Sequence, residues 1–250
     1  MQSLFIFSLT FLFVFGWKVT PILDLIAILS IALFLTVFGA FRTPIPRQTL
    51  SIALLLAGVV LYSCIAVILG GAADPQIGLR SIRAMVNFLG AAALAKLYLD
   101  AYGRENLLQA VFVHVYIALS VHALLIVLMY LFASLREAVY SLANTYDYSN
   151  STAPLLLGLR VPGLTYGLSI TSMLQMFGLL LAPGIFPLVR SRQLLATLFW
   201  MSILLLVLSV LSTGRSGLLL ALILLPLQWM IVHLRSAGTS RPKKLVRIYS

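Results

Sequence analysis

The stretch "LSVLSTGRSGLLLALILL", residues Leu208–Leu225, joins two apolar runs through a short polar interruption, Ser212–Gly217. Each run extends well beyond the quoted residues, and a stretch of about 18 or more apolar residues is long enough to cross a hydrocarbon core as a helix. Two helices joined by a compact turn at a membrane surface is the arrangement this pattern dictates. The question it leaves is why an arginine, Arg215, sits in the turn.

Composition extends the same reading to the whole chain. Of 250 residues, 62% are hydrophobic and only 9% charged, with mean hydropathy +1.09. Soluble domains carry roughly a quarter of charged residues. The alternating pattern of outer-membrane barrel strands is absent. The predicted fold is therefore all-α, a polytopic transmembrane helical bundle of about eight spans forming one domain over residues 1–250. The spans are expected near Gln2–Trp17, Pro21–Phe41, Leu50–Gly70, Gly78–Leu99, Leu107–Phe132, Gly163–Leu188, Leu194–Leu211 and Ser216–Leu234. An outer loop is expected at about 133–162 and a basic tail at about 235–250. The N-terminus lacks a basic n-region and an Ala-x-Ala site, and reads as a retained first span.

The net charge of +11 reflects basic loops and not nucleic acid. Cys64 is the only cysteine, so no disulfide can form within the chain, and no metal-ligating motif is present. With eight spans, one side holds Arg42, Arg47, Lys96, Arg104, Arg190, Arg192 and five tail residues. The other side holds Lys18, Arg80, Arg83, Arg136, Arg160 and Arg215. The richer side is expected to be cytoplasmic, with both termini there.

The outward arginines then fall at helix starts. A helix N-terminus presents unpaired N–H groups and roughly half a positive charge, which suits an anion. Arg160 precedes Pro162 and Gly163, a residue that lets backbone approach a ligand. Arg215 opens the eighth span beside Gly217, with Ser212, Thr213 and Ser216 as expected caps or donors. Arg80, Arg83 and Asn87 share one face of the fourth span at i, i+3 and i+7. Arginine is suited to bidentate phosphate contacts. Arginines near helix ends also commonly snorkel to headgroups, so Arg80 and Arg83 are weaker candidates than Arg160 and Arg215.

Two stretches carry a family resemblance. "GLRVPGLTYGLSITSMLQMFGLLL", residues Gly158–Leu181, resembles the Arg-x-x-Gly segment that opens a helix in bacterial O-antigen polymerases and O-antigen ligases. "LSVLSTGRSGLLLALILL" resembles their Ser/Thr-Gly-Arg-x-Gly turn. The resemblance covers mainly Gly158–Leu234. It implies an inner-membrane glycosyltransferase that moves glycan from an undecaprenyl pyrophosphate carrier outside the cytoplasm, in surface polysaccharide (O-antigen, capsule or exopolysaccharide) biosynthesis. Arg160 and Arg215, with Gly163 and Gly217, would hold the carrier pyrophosphate, and Ser216, like Arg80 and Arg83, is a weaker candidate. The partners implied are this lipid-linked oligosaccharide, membrane lipids and other polysaccharide-assembly proteins, with no cofactor. Family members continue past the second motif into a large periplasmic loop bearing a histidine, so the likeness is to the N-terminal portion of such a protein.

No general base stands out by spacing. His122, within the fifth span, is the weak catalytic candidate, since intramembrane ionisable groups are functional suspects. His114, His233, Asp24, Glu137 and Asp147 are not singled out by spacing. Competing readings are a transporter or flippase for an anionic lipid-linked substrate, or a non-catalytic assembly partner. The absence of paired repeats disfavours alternating access.

Overall fold

The structure is a computed structural model. It describes residues 2–15, 25–40, 43–69, 76–143, 161, 163–164 and 168–238. Among these the protein is helical throughout, with no strand. The helices are α1 (Gln2–Phe15), α2 (Leu25–Phe34, continued by a π-helical turn, Leu35–Ala40), α3 (Arg47–Leu69), α4 (Gln76–Leu131), α5 (Ala133–Ala143), α6 (Leu168–Val189), α7 (Gln193–Thr213) and α8 (Arg215–Gly238). Four segments are long and apolar enough to cross a membrane: Arg47–Leu69, Gly78–Leu131, Ile170–Val189 and Gln193–Thr213. Shorter apolar helices are Gln2–Phe15, Leu25–Ala40 and Gly217–Gln228.

Helix α4 contains both the fourth and the fifth predicted spans. It is broken at Gly103, whose φ of 72° and ψ of 171° no helix contains. Glycine has no Cβ to resist positive φ, so the break falls where the chain tolerates it best. Each arm, about 27 residues at 1.5 Å rise, extends ~40 Å. Near the break, Lys96 pairs with Asp100 one turn on.

The chain divides into two compact units, Met1–Val111 and Phe112–Ser250. In the first, Ile6, Leu9, Leu33, Val37, Phe38, Ala93, Leu94 and Tyr98 form the core. Thr10 Oγ1 donates to Ile6 O at 2.8 Å, so at the 2.7 Å contact with Tyr98 the phenol must be the donor. Ser63 follows the same logic. Its hydroxyl donates to Val59 O, and Ser81 Oγ, 3.0 Å away, donates to it. Ser63 is the only buried residue of α3. A helix apolar on every side and exposed on nearly all of them is expected in lipid, where hydrocarbon replaces the protein neighbours that a soluble fold would need.

The second unit is built on α6, which packs against α7 and α8. Gly178 lets Leu206 of α7 approach, and Gly217 of α8 rests against Ser172. Pro183 and Pro187 lie inside α6 and Pro226 inside α8. Membrane helices tolerate such residues because neighbours supply substitute partners. Separately, Gln228 Nε2 of α8 donates to Leu180 O of α6 at 2.8 Å, tying the two helices together.

Two adjustments to the sequence expectation follow. The outer segment after residue 132 is not all loop: Ala133–Ala143 is an amphipathic helix, with Leu135, Val139 and Tyr140 packed on Ile126, Met129 and Val161. Gly163, the expected start of the sixth span, is a turn residue at φ 67°, and the helix is described from Leu168.

Two glycines make contrasting tests of the packing. A Cβ on Gly90 would lie 2.4 Å from the Ser30 side chain and 2.6 Å from its Cα, whereas one on Gly58 would meet nothing within 4 Å. Gly90→Ala should destabilise the detergent-solubilised protein by about 1–3 kcal/mol through overpacking. Gly58→Ala should be neutral or stabilising by about 0.5–1 kcal/mol through helix propensity. Paired thermal melts read by fluorescence size-exclusion check both signs.

Candidate functional site

The interior of the second unit holds several buried polar residues among its apolar ones. His122 on α4, Thr171, Ser172 and Gln175 on α6, and Ser209 and Thr213 on α7 are all fully buried. Polar side chains in membrane helices face the bundle interior because hydrocarbon offers them no partners. The three residues of α6 lie at i, i+1 and i+4, which makes one stripe on that helix.

His122 joins this set through Gln175. The imidazole Nε2 lies 2.9 Å from the backbone N–H of Leu164, which donates to it. A neutral imidazole with Nε2 accepting carries its proton on Nδ1. The Gln175 amide stands 2.8 Å from Nδ1. Its oxygen and nitrogen are interchangeable in shape, and the network decides between them. The structure sets Gln175 Nε2 toward Nδ1 and leaves Oε1 buried without a partner among the described residues. The Nδ1–H needs an acceptor, so we assign the amide the other way round, with Oε1 to the ring.

Above the ring runs the first motif. Gly163 crosses it so closely that a Cβ would lie 2.4 Å from His122 Nε2 and 2.8 Å from Ile126 Cγ1. The sequence offers Gly163 as a place where backbone could approach a ligand; here the side without a Cβ is taken by His122. Two residues earlier, the N–H of Val161 donates to Ser212 O at 3.4 Å. That bond ties the first motif to the second. Val161 is itself fully buried and is covered by α5 through Tyr140 and its neighbours. Burial pushes the Tyr140 phenol up to about 12, against a smaller downward pull from Arg136, so it is neutral at physiological pH.

In the second motif, α7 ends at Thr213 and α8 begins at Arg215, with only Gly214 between. Gly214 is extended, and its N–H bonds Val210 O at 3.4 Å. The hydroxyls of Ser212 and Thr213, expected to cap the following helix, turn back instead. Ser212 Oγ donates to Ser209 O at 3.0 Å and Thr213 Oγ1 to the same carbonyl at 2.8 Å. Gly217, also expected near a ligand, has its open side against Ser172: a Cβ would meet Ser172 Cβ at 2.7 Å and Ser172 O at 2.9 Å. It draws α8 onto α6. Beside the turn lies an apolar cleft of about 450 Å³, lined by Val127, Tyr130, Leu131, Leu208, Leu211 and Ser212.

Arg160 and Pro162 lie outside the described residues, as do Asp147, Asp24 and the end of the basic tail. Arg215 and Ser216 are described by backbone alone. The segments that carry Arg160 and Arg215 meet at the Val161–Ser212 bond. Arg80 and Arg83 belong to the first unit, on α4, where Arg80 is exposed and Arg83 half-buried. One turn on, Asn87 has a buried Oδ1 with no hydrogen-bond partner among the described residues. No cluster of His, Cys, Asp and Glu able to hold a metal occurs among the described residues. Sequence reasoning passed over Gln175, although an amide in mid-span within "TSMLQM" is the kind of residue that marks a membrane interior site.

No family model, curated protein or solved structure matches this chain.

The seating of Gly163 can be tested directly. Gly163→Ala combines a positive-φ penalty with a clash on His122, and should destabilise the protein by on the order of 2 kcal/mol or more. A melting temperature equal to wild type would show that the turn does not rest on the imidazole.

Proposed function

We propose that the protein is a membrane glycosyltransferase of the O-antigen polymerase or ligase type, transferring glycan from an undecaprenyl pyrophosphate carrier. The observation that carries this reading is the Val161–Ser212 hydrogen bond, which draws together two motifs fifty residues apart in the chain. In that reading Arg160 and Arg215 share one anion, the carrier pyrophosphate. Positive charge held ready against a lipid pyrophosphate leaving group stabilises the negative charge that develops on it. The N-terminus of α8, directly after Gly214, adds unpaired N–H groups on the same side as Arg215. The apolar cleft along Ser212 offers room for the first isoprene units of the carrier. Gly163 and Gly217 serve by shape, letting the two motif backbones settle on His122 and Ser172.

The topology that goes with this function has eight crossings. The two arms of α4 each cross, as do α1, α2, α3, α6, α7 and α8. The membrane is the bacterial inner membrane, the termini are cytoplasmic, and the Arg215 turn faces outward. An assembly of this kind would work beside other polysaccharide-assembly proteins.

Complementation of a polymerase- or ligase-deficient strain tests the chemistry. Arg160→Ala and Arg215→Ala should each abolish long-chain polysaccharide at unchanged membrane levels. Arg→Lys at either position should recover only part of it, because Lys cannot make the bidentate contact. Wild-type banding in the alanine variants would refute the pyrophosphate role. Topology is checked by cysteine substitution at position 215, which should be labelled by an impermeant maleimide from the periplasmic side. Labelling only after the inner membrane is opened would reverse the orientation.

A further inference from the structure

We propose that His122 is a positioning residue: its Nε2 holds the Leu164 N–H, fixing the backbone that follows Arg160 so that the two motifs form one anion site. This rests on the reading of Arg160 and Arg215 given above. It assigns the histidine a different task from the base that an intramembrane ionisable group first suggests.

Geometry separates the two roles. A base needs a lone pair facing the reacting proton. The only lone pair on this ring is at Nε2, and Leu164 N–H occupies it at 2.9 Å. Nδ1 carries the proton and is engaged by Gln175 at 2.8 Å. The ring is fully buried, and Gly163 lies directly over Nε2. No reacting group can reach either nitrogen without displacing the turn. What the ring does control is that turn. Residues 161–164 are held at two points: Val161 N–H on Ser212 O, and Leu164 N–H on His122 Nε2. The first tie is to the loop of Arg215. The second is to α4, and it sets where the segment lies against its helix. Gln175 keeps the ring in the tautomer that leaves Nε2 free to accept, as second partners of metal-bound or catalytic imidazoles do elsewhere.

The full-length protein in detergent or nanodiscs provides the test. Glutamine can bring Oε1 to the position of Nε2, whereas asparagine reaches only as far as Nδ1. His122→Ala and His122→Asn should therefore speed amide exchange in peptides containing Leu164 by about tenfold or more, as loss of a buried hydrogen bond predicts. His122→Gln should stay near wild type, and exchange within α7 should be unchanged in all three. Binding of farnesyl pyrophosphate, a short probe of the carrier, should weaken in the same order and be rescued by glutamine. Equal exchange in all variants, asparagine behaving like glutamine, or affinity that ignores the exchange order would overturn the role. Failure of the site itself reads differently. Arg160→Ala and Arg215→Ala would then bind the probe as wild type does, while the exchange order still decides what His122 holds.

Discussion

One contact constrains the second unit more than any other: a backbone turn seated on a buried imidazole. Leu164 donates to His122, and Gly163 passes over the ring at a distance that admits no side chain. Neither half works alone. A residue with a Cβ at 163 would lift the turn off the ring, and a ring without an acceptor at Nε2 would leave a half-buried N–H unpaired. An unpaired buried amide costs about 1–3 kcal/mol. The adjoining arrangement follows from this seat. Val161 is brought to Ser212, and α5 packs over Val161.

The surrounding solvent explains why the polar groups are where they are. Hydroxyls along the helices return to carbonyls three or four residues back, as Ser120, Thr197, Ser202 and Ser209 do. Such bonds let a serine or threonine sit in an apolar helix without an external partner. Few polar side chains reach across helices. Among the described residues, those that do include Thr10 with Tyr98, Ser3 with Tyr102, Ser63 with Ser81, Tyr116 with Ser202 at 2.5 Å, His122 with Gln175, and Gln228 with the Leu180 carbonyl. Small residues complete the pattern, since Gly90, Gly178 and Gly217 admit a neighbouring helix where a side chain would hold it away.

Much of the helical layout was legible in the sequence because apolar run length is a direct signal for spanning helices. α3, α7 and α8 begin and end within a few residues of the expected limits. Three features were less legible. The two arms of α4 run up to a break at Gly103, which falls inside the loop expected between Leu99 and Leu107 but is far tighter than that loop. The amphipathic α5 is short, and its Arg136 and Glu137 made the segment read as loop. The inward-facing use of Gly163 and Gly217 could not be read at all, because a glycine that admits a ligand and one that admits a neighbouring side chain look alike in sequence. Arg160 and Arg215, by contrast, stood out through their position at helix starts. The backbone bond that brings Val161 to Ser212 has no sequence signature.

The central claim is that the two motif segments form one site for a lipid pyrophosphate. Photo-crosslinking with a benzophenone-bearing polyprenyl pyrophosphate, followed by peptide mapping, addresses it most directly. The account predicts labelling confined to peptides around residues 158–168 and 208–218 and to the cleft at residues 127–131. Excess unlabelled polyprenyl pyrophosphate should suppress it, and the matching polyprenol should not. Labelling spread along lipid-facing α3, or suppressed equally by the polyprenol, would contradict a pyrophosphate site at this junction.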